Sequence, residues 1–286
     1  MNAFKPLMQA AVLAAACCAA SAQATVISYG NFSNTAGLTM VGSAGVVNTG
    51  DGAVMRLTPD QGSRSGAFYS TNSLQLGSNA TFSTSFQFRM THSGGTPADG
   101  LAFVLAAAPT GLGSSGQGMG YQGVNHSFAI EFDTYDNGFY DSYSNNHVAV
   151  SANGSYVTSS PVFPYGQSYC FGATPGCMSN GDLWTVNVGY DGANLSVSLL
   201  DQAAGTTFVA LQNYQVDIAS ILGTNQAYAG FTAATGALSE NHDIIQWTFA
   251  DTAVVPSNVP EPGTAWIVGL GLAALAARKR VAARRS

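Results

Sequence analysis

FSTSFQFRM, residues 82–90, puts Phe82, Thr84, Phe86, Phe88 and Met90 on one face of an extended chain and Ser83, Ser85, Gln87 and Arg89 on the other. Successive side chains of a strand point to opposite faces, so this alternation predicts a strand with one face in a core. The same period of two recurs in Trp184, Val186, Val188 and Tyr190, and again in Leu195, Val197 and Leu199. Asp191-Gly192-Ala193-Asn194 joins these two runs as a hairpin turn. Leu101 to Ala107 is apolar throughout, which predicts a strand buried on both faces. No segment of the core keeps a helical period over three turns, and Val216 to Leu222 suits one short turn. With 33 glycines to punctuate it, the chain reads as all-β: a two-sheet antiparallel sandwich, with a jelly roll as the expected topology.

The two ends differ from this core. Lys5, the apolar run Ala10 to Ala20 and the small residues Ser21-Ala22-Gln23-Ala24 form a signal-peptide pattern, so residues 1–24 are expected to be removed. Cys17 and Cys18 fall inside that segment. Alanines precede them where a lipoprotein signal would carry leucine, which sets the lipoprotein reading aside. At the other end, Val255 to Pro262 reads VPSNVPEP, a spacer within residues 253–264. Residues 265–286 hold an apolar run, Ala265 to Ala277, and then Arg278, Lys279, Arg280, Arg284 and Arg285. The basic cluster predicts a cytoplasmic end, while the run is shorter than the roughly 20 residues of a spanning helix. A short, snorkelling anchor is one reading. The order Val259-Pro260-Glu261-Pro262, short apolar helix, basic tail also resembles the PEP-CTERM sorting signal of Gram-negative bacteria. That resemblance implies export, attachment to the membrane through the C-terminal helix until an exosortase-type protease acts, and a destination at the cell envelope, the surface or the extracellular matrix.

With the signal segment and the basic tail removed and Glu261 kept, Arg56, Arg64 and Arg89 face fifteen acidic residues, a net charge of about −12 (3 − 15). Such a surface excludes nucleic acid as a partner and suits cations. Charged residues are 8% of the chain, against roughly 25% in ordinary domains; Ser, Thr, Asn and Gly carry the polarity. Cys170 and Cys177 are the cysteines left, and in an exported protein they read as one loop disulfide. Gly118-Met119-Gly120-Tyr121-Gln122-Gly123 matches G-x-G-x-x-G, but a strand pattern follows where that fingerprint needs a helix. Nucleotide binding is not expected.

The stretch that carries chemistry is FAIEFDTYDNGFYDSYSNNHVAVSANG, residues 128–154. Phe128, Ile130 and Phe132 alternate into the core, which brings Glu131 and Asp133 together on the opposite face. Neighbouring carboxylates repel unless a proton or a cation bridges them. Asn137 and Asp141 follow in the loop, and His147 begins the next run. Oxygens from Asp133, Asn137, Asp141 and a backbone carbonyl suit Ca²⁺; Glu131 and the His147 imidazole add a set suited to a transition ion such as Mn²⁺. By itself the pattern also fits a solvated acidic loop beside a surface histidine.

E-F-D-T-Y-x-N, then an Asp, then H-V-x-V-x-x-N-G resembles the metal-binding region of legume-type (L-type) lectins. Three further stretches are similar to that family, in its order. They are Pro97-Ala98-Asp99-Gly100-Leu101-Ala102-Phe103, the glycine loop Gly116 to Tyr121, and Gly230 to Gly236 running on to His242–Phe249. The similarity covers nearly all of residues 25–252 and implies a concanavalin-like sandwich that binds glycans or exopolysaccharide without catalysis. By position it implies that Glu131, Asp133, Asp141 and His147 hold a transition metal. Asp133, the carbonyl of Tyr135, Asn137 and Asp141 would hold calcium. Sugar hydroxyls would meet Asp99, Asn137, Gly118 and the backbone around Ala237 and Leu238. A cis peptide is implied at Ala98–Asp99. Ser142 stands where the family often has proline after its Asp.

Two other functions are compatible with parts of the pattern. Glu131, Asp133 and Asp136 nearly reproduce the E-x-D-x-x-E of sandwich-fold β-glucanases, with the last acid one methylene short. That leaves Asn137, Asp141, His147 and the Asp99 motif unexplained. A matrix or adhesion protein that kept the fold without sugar binding is the other, and intact Asp99 and Asn137 argue against it.

Overall fold

A computed structural model describes residues 26–108, 111–155, 170 and 176–253. The expected signal segment and the sorting tail from residue 254 lie outside the described residues. In chain order the strands are β1 (Val26–Tyr29), β2 (Leu38–Gly42), β3 (Gly45–Thr49), β4 (Gly52–Thr58) and β5 (Ser65–Ser70). They continue as β6 (Leu74–Gln75), β7 (Phe82–Thr91), β8 (Gly100–Ala106), β9 (Ser127–Asp133) and β10 (His147–Ala152). The last are β11 (Trp184–Tyr190), β12 (Asn194–Asp201), β13 (Thr206–Gln215), β14 (Gln226–Ala234) and β15 (Asn241–Ala250). One short helix, α1 (Ile218–Leu222), fills the turn expected near Val216, capped by Asp217, whose carboxylate accepts from the Ser220 amide at 2.9 Å.

The strands form two antiparallel sheets. One runs β13-β12-β11-β7-β15-β4-β3, with β1 also paired to β15; the other runs β10-β9-β8-β14-β5-β2, with β6 paired to β14. The alternation that opens the sequence reading is what packs them. Phe82, Phe86 and Phe88 of β7 face Phe103 of β8, Phe132 of β9 and Phe231 of β14, and all six are fully buried. The Phe86 and Phe231 rings meet edge-to-face at 4.8 Å, an arrangement that suits the ring quadrupole. Burying each such ring contributes roughly 1.5–3 kcal/mol. The expected hairpin joins β11 to β12, with Tyr190 opposite Leu195, and Asp191 accepts from the Ala193 and Asn194 amides to close it.

β8 is buried along its whole length, as its continuous apolar run requires. Leu101, Phe103 and Leu105 enter the inter-sheet core, while Ala102, Val104 and Ala106 pack under Met119, Tyr121 and Val124. The segment between β8 and β9 therefore forms a third layer over the outer face of the second sheet. The stretch resembling a dinucleotide fingerprint lies in this cover and leads into β9, not into a helix. Glycine permits the close approaches: a Cβ on Gly230 would lie 2.0 Å from the Phe68 carbonyl oxygen of β5.

Candidate metal and carbohydrate site

Register collects the candidate residues at one end of the second sheet. Asp133, the last residue of β9, pairs with His147 at the start of β10 and with Gly100 at the start of β8; Gly100 pairs in turn with Ala234 at the end of β14. The loops that leave these ends carry Asp99, Tyr135 to Asp141, and Gly236 to Leu238. The main chains are tied as well, for the Thr134 amide donates to the Asp99 carbonyl at 3.0 Å and the Asp99 amide to the Ala234 carbonyl at 3.2 Å. The Ala98–Asp99 peptide is cis.

Glu131, Asp133 and His147 each offer a ligand atom, and the three atoms lie within 4.8 Å of one another in a buried group. Burial pushes the Glu131 carboxyl up to about 8, with Asp141 repelling its charge and the Tyr121 hydroxyl, which donates to it, opposing the rise. Burial and then the nearby Asp141 carboxylate hold Asp133 well above the ordinary carboxylate range. The His147 imidazole is driven down to about 4 by burial, against the Ser144 carbonyl. Its Nδ1 lies 3.2 Å from that carbonyl oxygen, which fixes the proton on Nδ1 and leaves Nε2 as a free lone pair. Among the described residues, three buried acceptors of this group find no hydrogen-bond partner: Asp133 Oδ2, Asn137 Oδ1 and His147 Nε2. Acceptors gathered without a donor are what a cation satisfies, so the residues fit a metal ion.

Above this group lies an open depression of about 320 Å³, bordered by Asp99, Gly116, Gln117, Tyr135, Asn137, Gly236, Ala237 and Leu238, among others. Asp99 is only 4% exposed. Burial pushes its carboxyl up to about 6, against the pull of His242 and the Gly236 amide. The loop bearing Asn137 is closed on itself: the Asn137 amide donates to the Asp141 carboxylate, and the Tyr135 amide to Asp133 Oδ1 at 2.8 Å.

The structure brings Asp99, Asn137, Ala237 and Leu238 together around the depression, and Glu131, Asp133 and His147 beneath it. Asp141 is buried in the loop that closes over them. Gly118 does not border the depression. Its amide donates to Ser115 in a 3₁₀ turn, and a Cβ there would meet Ser114 and Gln122 at 2.8 Å. Gly116, with φ +60°, is the glycine at the rim, and a Cβ on it would lie 4.0 Å from Asp99 Oδ2. Asp136 lies beyond the end of β9, and Glu131, 1% exposed beneath Tyr121, is closed to a substrate. The expected Cys170–Cys177 disulfide is present, with the Cα atoms 5.6 Å apart.

Several contributors escaped the sequence reading. Glu240 and His242, both fully buried, lie 3.2 Å apart. The Thr134 hydroxyl donates to Glu240, and the Thr58 hydroxyl contacts His242 Nδ1. Asn146 is fixed by Gly176 and Met178: its amide donates to the Gly176 carbonyl at 3.0 Å, and its oxygen accepts from the Met178 amide at 2.9 Å. A histidine in the strand pattern that ends the domain is the signal that could have marked His242.

A jelly-roll sandwich with a buried acidic cluster under a shallow polar depression defines a carbohydrate-binding class of protein more readily than an enzyme. Residues 24–263 match the legume lectin domain family and residues 258–280 the PEP-CTERM protein-sorting motif. The chain belongs to the legume lectin domain family. The lectin alpha chain of Lablab purpureus is 30% identical over 211 residues, 67% of this chain and 68% of that protein. The L-type lectin-domain containing receptor kinase I.8 of Arabidopsis thaliana is 29% identical over 218 residues, covering 72% of this chain and 33% of the kinase. The chain thus spans about a third of that relative's length. The fold is shared with peanut lectin in complex with a 9mer peptide (TM-score 0.66, 24% identity, 80% of this chain and 97% of that one). It is shared equally with basic winged bean lectin with Tn-antigen (0.65, 23%, 82% and 100%). The family match and the Lablab purpureus lectin support carbohydrate binding.

Proposed function

We propose that this protein is a calcium-dependent lectin exported to the envelope, surface or extracellular matrix of a Gram-negative bacterium. The observation that carries the reading is that Asp99 and Asn137 border one depression, and that Asn137 Oδ1 and the neighbouring Asp133 Oδ2 are buried acceptors that lack donors. Asp133, the Tyr135 carbonyl, Asn137 and Asp141 would hold calcium; Glu131, Asp133, Asp141 and His147 would hold a transition ion. A bound cation supplies the positive charge that lets these carboxylates stay ionised together. The Asp99 carboxylate then accepts from sugar hydroxyls, the Asn137 amide donates to one, and the backbone at Gly116, Ala237 and Leu238 completes the ring of partners. Residues 1–24 would direct export, and the spacer 253–264 and tail 265–286 would direct exosortase-type processing, the latter supported by the sorting motif matched over residues 258–280.

The test is calorimetric titration of calcium into chelator-treated protein, followed by a glycan array on the calcium-loaded and metal-free forms. Calcium-dependent glycan capture that disappears in Asp99→Ala and Asn137→Ala is the expected result. Calcium binding with no glycan captured would instead make this a matrix protein that retains the fold, and failure to bind calcium would overturn the metal assignment.

A further inference from the structure

Every large aromatic side chain that stands exposed among the described residues lies on one loop. Phe139 is 80% exposed, Tyr140 50% and Tyr143 60%. Isolated apolar side chains on a surface are ordinary, but clustered ones mark interaction sites. This cluster begins two residues after Asn137, which borders the depression. Leu238, 37% exposed, is an exposed apolar side chain that borders the depression itself.

The loop is braced by hydrogen bonds of its own. The Gly138 amide donates to Asp136 Oδ1 at 2.7 Å, the Tyr143 amide to the Gly138 carbonyl at 2.9 Å, and the Ser144 amide to the Asp141 carbonyl at 3.0 Å. The Phe139 and Tyr140 rings meet edge-to-face, with centroids 6.1 Å apart. Side chains held in place this way lose little freedom on binding, which favours a ligand that comes to them. The depression itself, about 320 Å³, is at the small end of ligand pockets and suits a single sugar ring.

We infer that Phe139 and Tyr140 form an apolar step that seats the ring next to the one in the depression, so that the ligand is a chain glycan and not a free monosaccharide. The inference rests on the lectin reading of the depression. A pyranose presents a face of C–H groups, which matches the electron-rich face of an aromatic ring and is driven onto it by loss of wetted apolar area. The phenol of Tyr140 offers a polar tip that suits the hydroxyls at the edge of the sugar. A lipid surface fits the loop poorly, because residues 136–146 hold no lysine or arginine to pair with anionic headgroups.

The test is calorimetry on the calcium-loaded full chain. The ligands are methyl glycosides of galactose, N-acetylgalactosamine, mannose and glucose, together with linear tri- and hexasaccharides of the same sugars. The quantity read is the ratio of affinities, chain over methyl glycoside. It is expected to be about three- to tenfold in the parent protein, the range of one aromatic contact. It should fall to about one in the Phe139→Ala/Tyr140→Ala double variant and persist in Phe139→Trp. A ratio of one in the parent, or a ratio that survives the double variant, overturns the inference while leaving the lectin reading intact. Binding of no sugar by the parent overturns both. Binding of phosphatidylglycerol vesicles, or self-association, that the double variant loses while keeping its chain ratio would assign the step to a membrane or to a second copy instead.

Discussion

Asp133 and His147 stand directly opposite one another in the ladder between β9 and β10. Opposed residues share a face of the sheet, so the pairing turns two side chains fourteen positions apart into neighbours. Glu131, two residues before Asp133 on the same strand, falls on that face too. The cover carrying Tyr121 then removes all three from water. A strand end, one register and one overlying loop suffice to make a buried site for a cation.

Replacing Asp133 by asparagine keeps the shape and removes the charge. A buried carboxyl with one oxygen unpartnered and Asp141 beside it costs roughly 1–3 kcal/mol, so the chelated variant is expected to melt above the chelated parent. In calcium the order reverses: at a hundred times its Kd, the ion adds about 2.7 kcal/mol to the parent alone. Scanning calorimetry of both proteins, with and without chelator, checks the crossover. A variant that melts lower in both conditions would show that Asp133 serves only the fold.

Acid should weaken glycan binding before it weakens the protein. Asp99 accepts hydrogen bonds as a carboxylate, and its carboxyl is pushed by burial from 3.8 up to about 6. Affinity should fall as pH drops through 6, by up to about tenfold per unit below it. The stability linkage has the opposite sign. A carboxyl raised in the folded state contributes stability that is full below 3.8 and lost as pH rises through 6. Glycan titrations at pH 7 and 5, with melting curves alongside, separate the two; a parallel loss of both would contradict this account.

Asn146→Ala removes the bonds to Gly176 and Met178, next to both His147 and the disulfide. The expected cost is about 1–3 kcal/mol for the buried groups left unpaired. Affinity for a transition ion should fall about tenfold or more, since the support of a metal-ligating histidine shifts. Urea denaturation and manganese titration measure the two effects.

Gly100→Ala tests the junction between Asp99 and Asp133. Gly100 has φ +133°, and a Cβ there would lie 2.4 Å from the Phe132 carbonyl oxygen. Strain at such a position costs about 1–3 kcal/mol before the clash is counted. The melting temperature should drop and glycan capture with it, whereas Gly50→Ala, with nothing within 4 Å of its Cβ, should stay within about 0.5 kcal/mol of the parent.

The sandwich was legible because its signal is local and repeated. Phe82 to Met90, Trp184 to Tyr190 and Leu195 to Leu199 each declare a strand and its inward face through period-two alternation, and Asp191 to Asn194 declares their hairpin. The acidic pair Glu131 and Asp133 was legible for the same reason, since two residues apart on a strand means one face. Asp99, Asn137 and the loop after Gly236 came from similarity of whole motifs, because no local rule relates positions 99, 137 and 237.

Gly118 marks where sequence reading stopped. Gly116 and Gly118 are equivalent in composition and spacing, and only the 3₁₀ turn decides which one reaches the rim. Glu240, His242 and Asn146 were hidden for a related reason, as nothing in a strand's own sequence states what lies behind it. By itself the sequence determined the strands, their faces and the residue types available for binding, because alternation and charge are properties of neighbours along the chain. The tertiary structure decided which carboxylates are buried together, which glycine lines the depression and where the exposed aromatic rings stand, because burial and register are set by segments that are not neighbours along the chain.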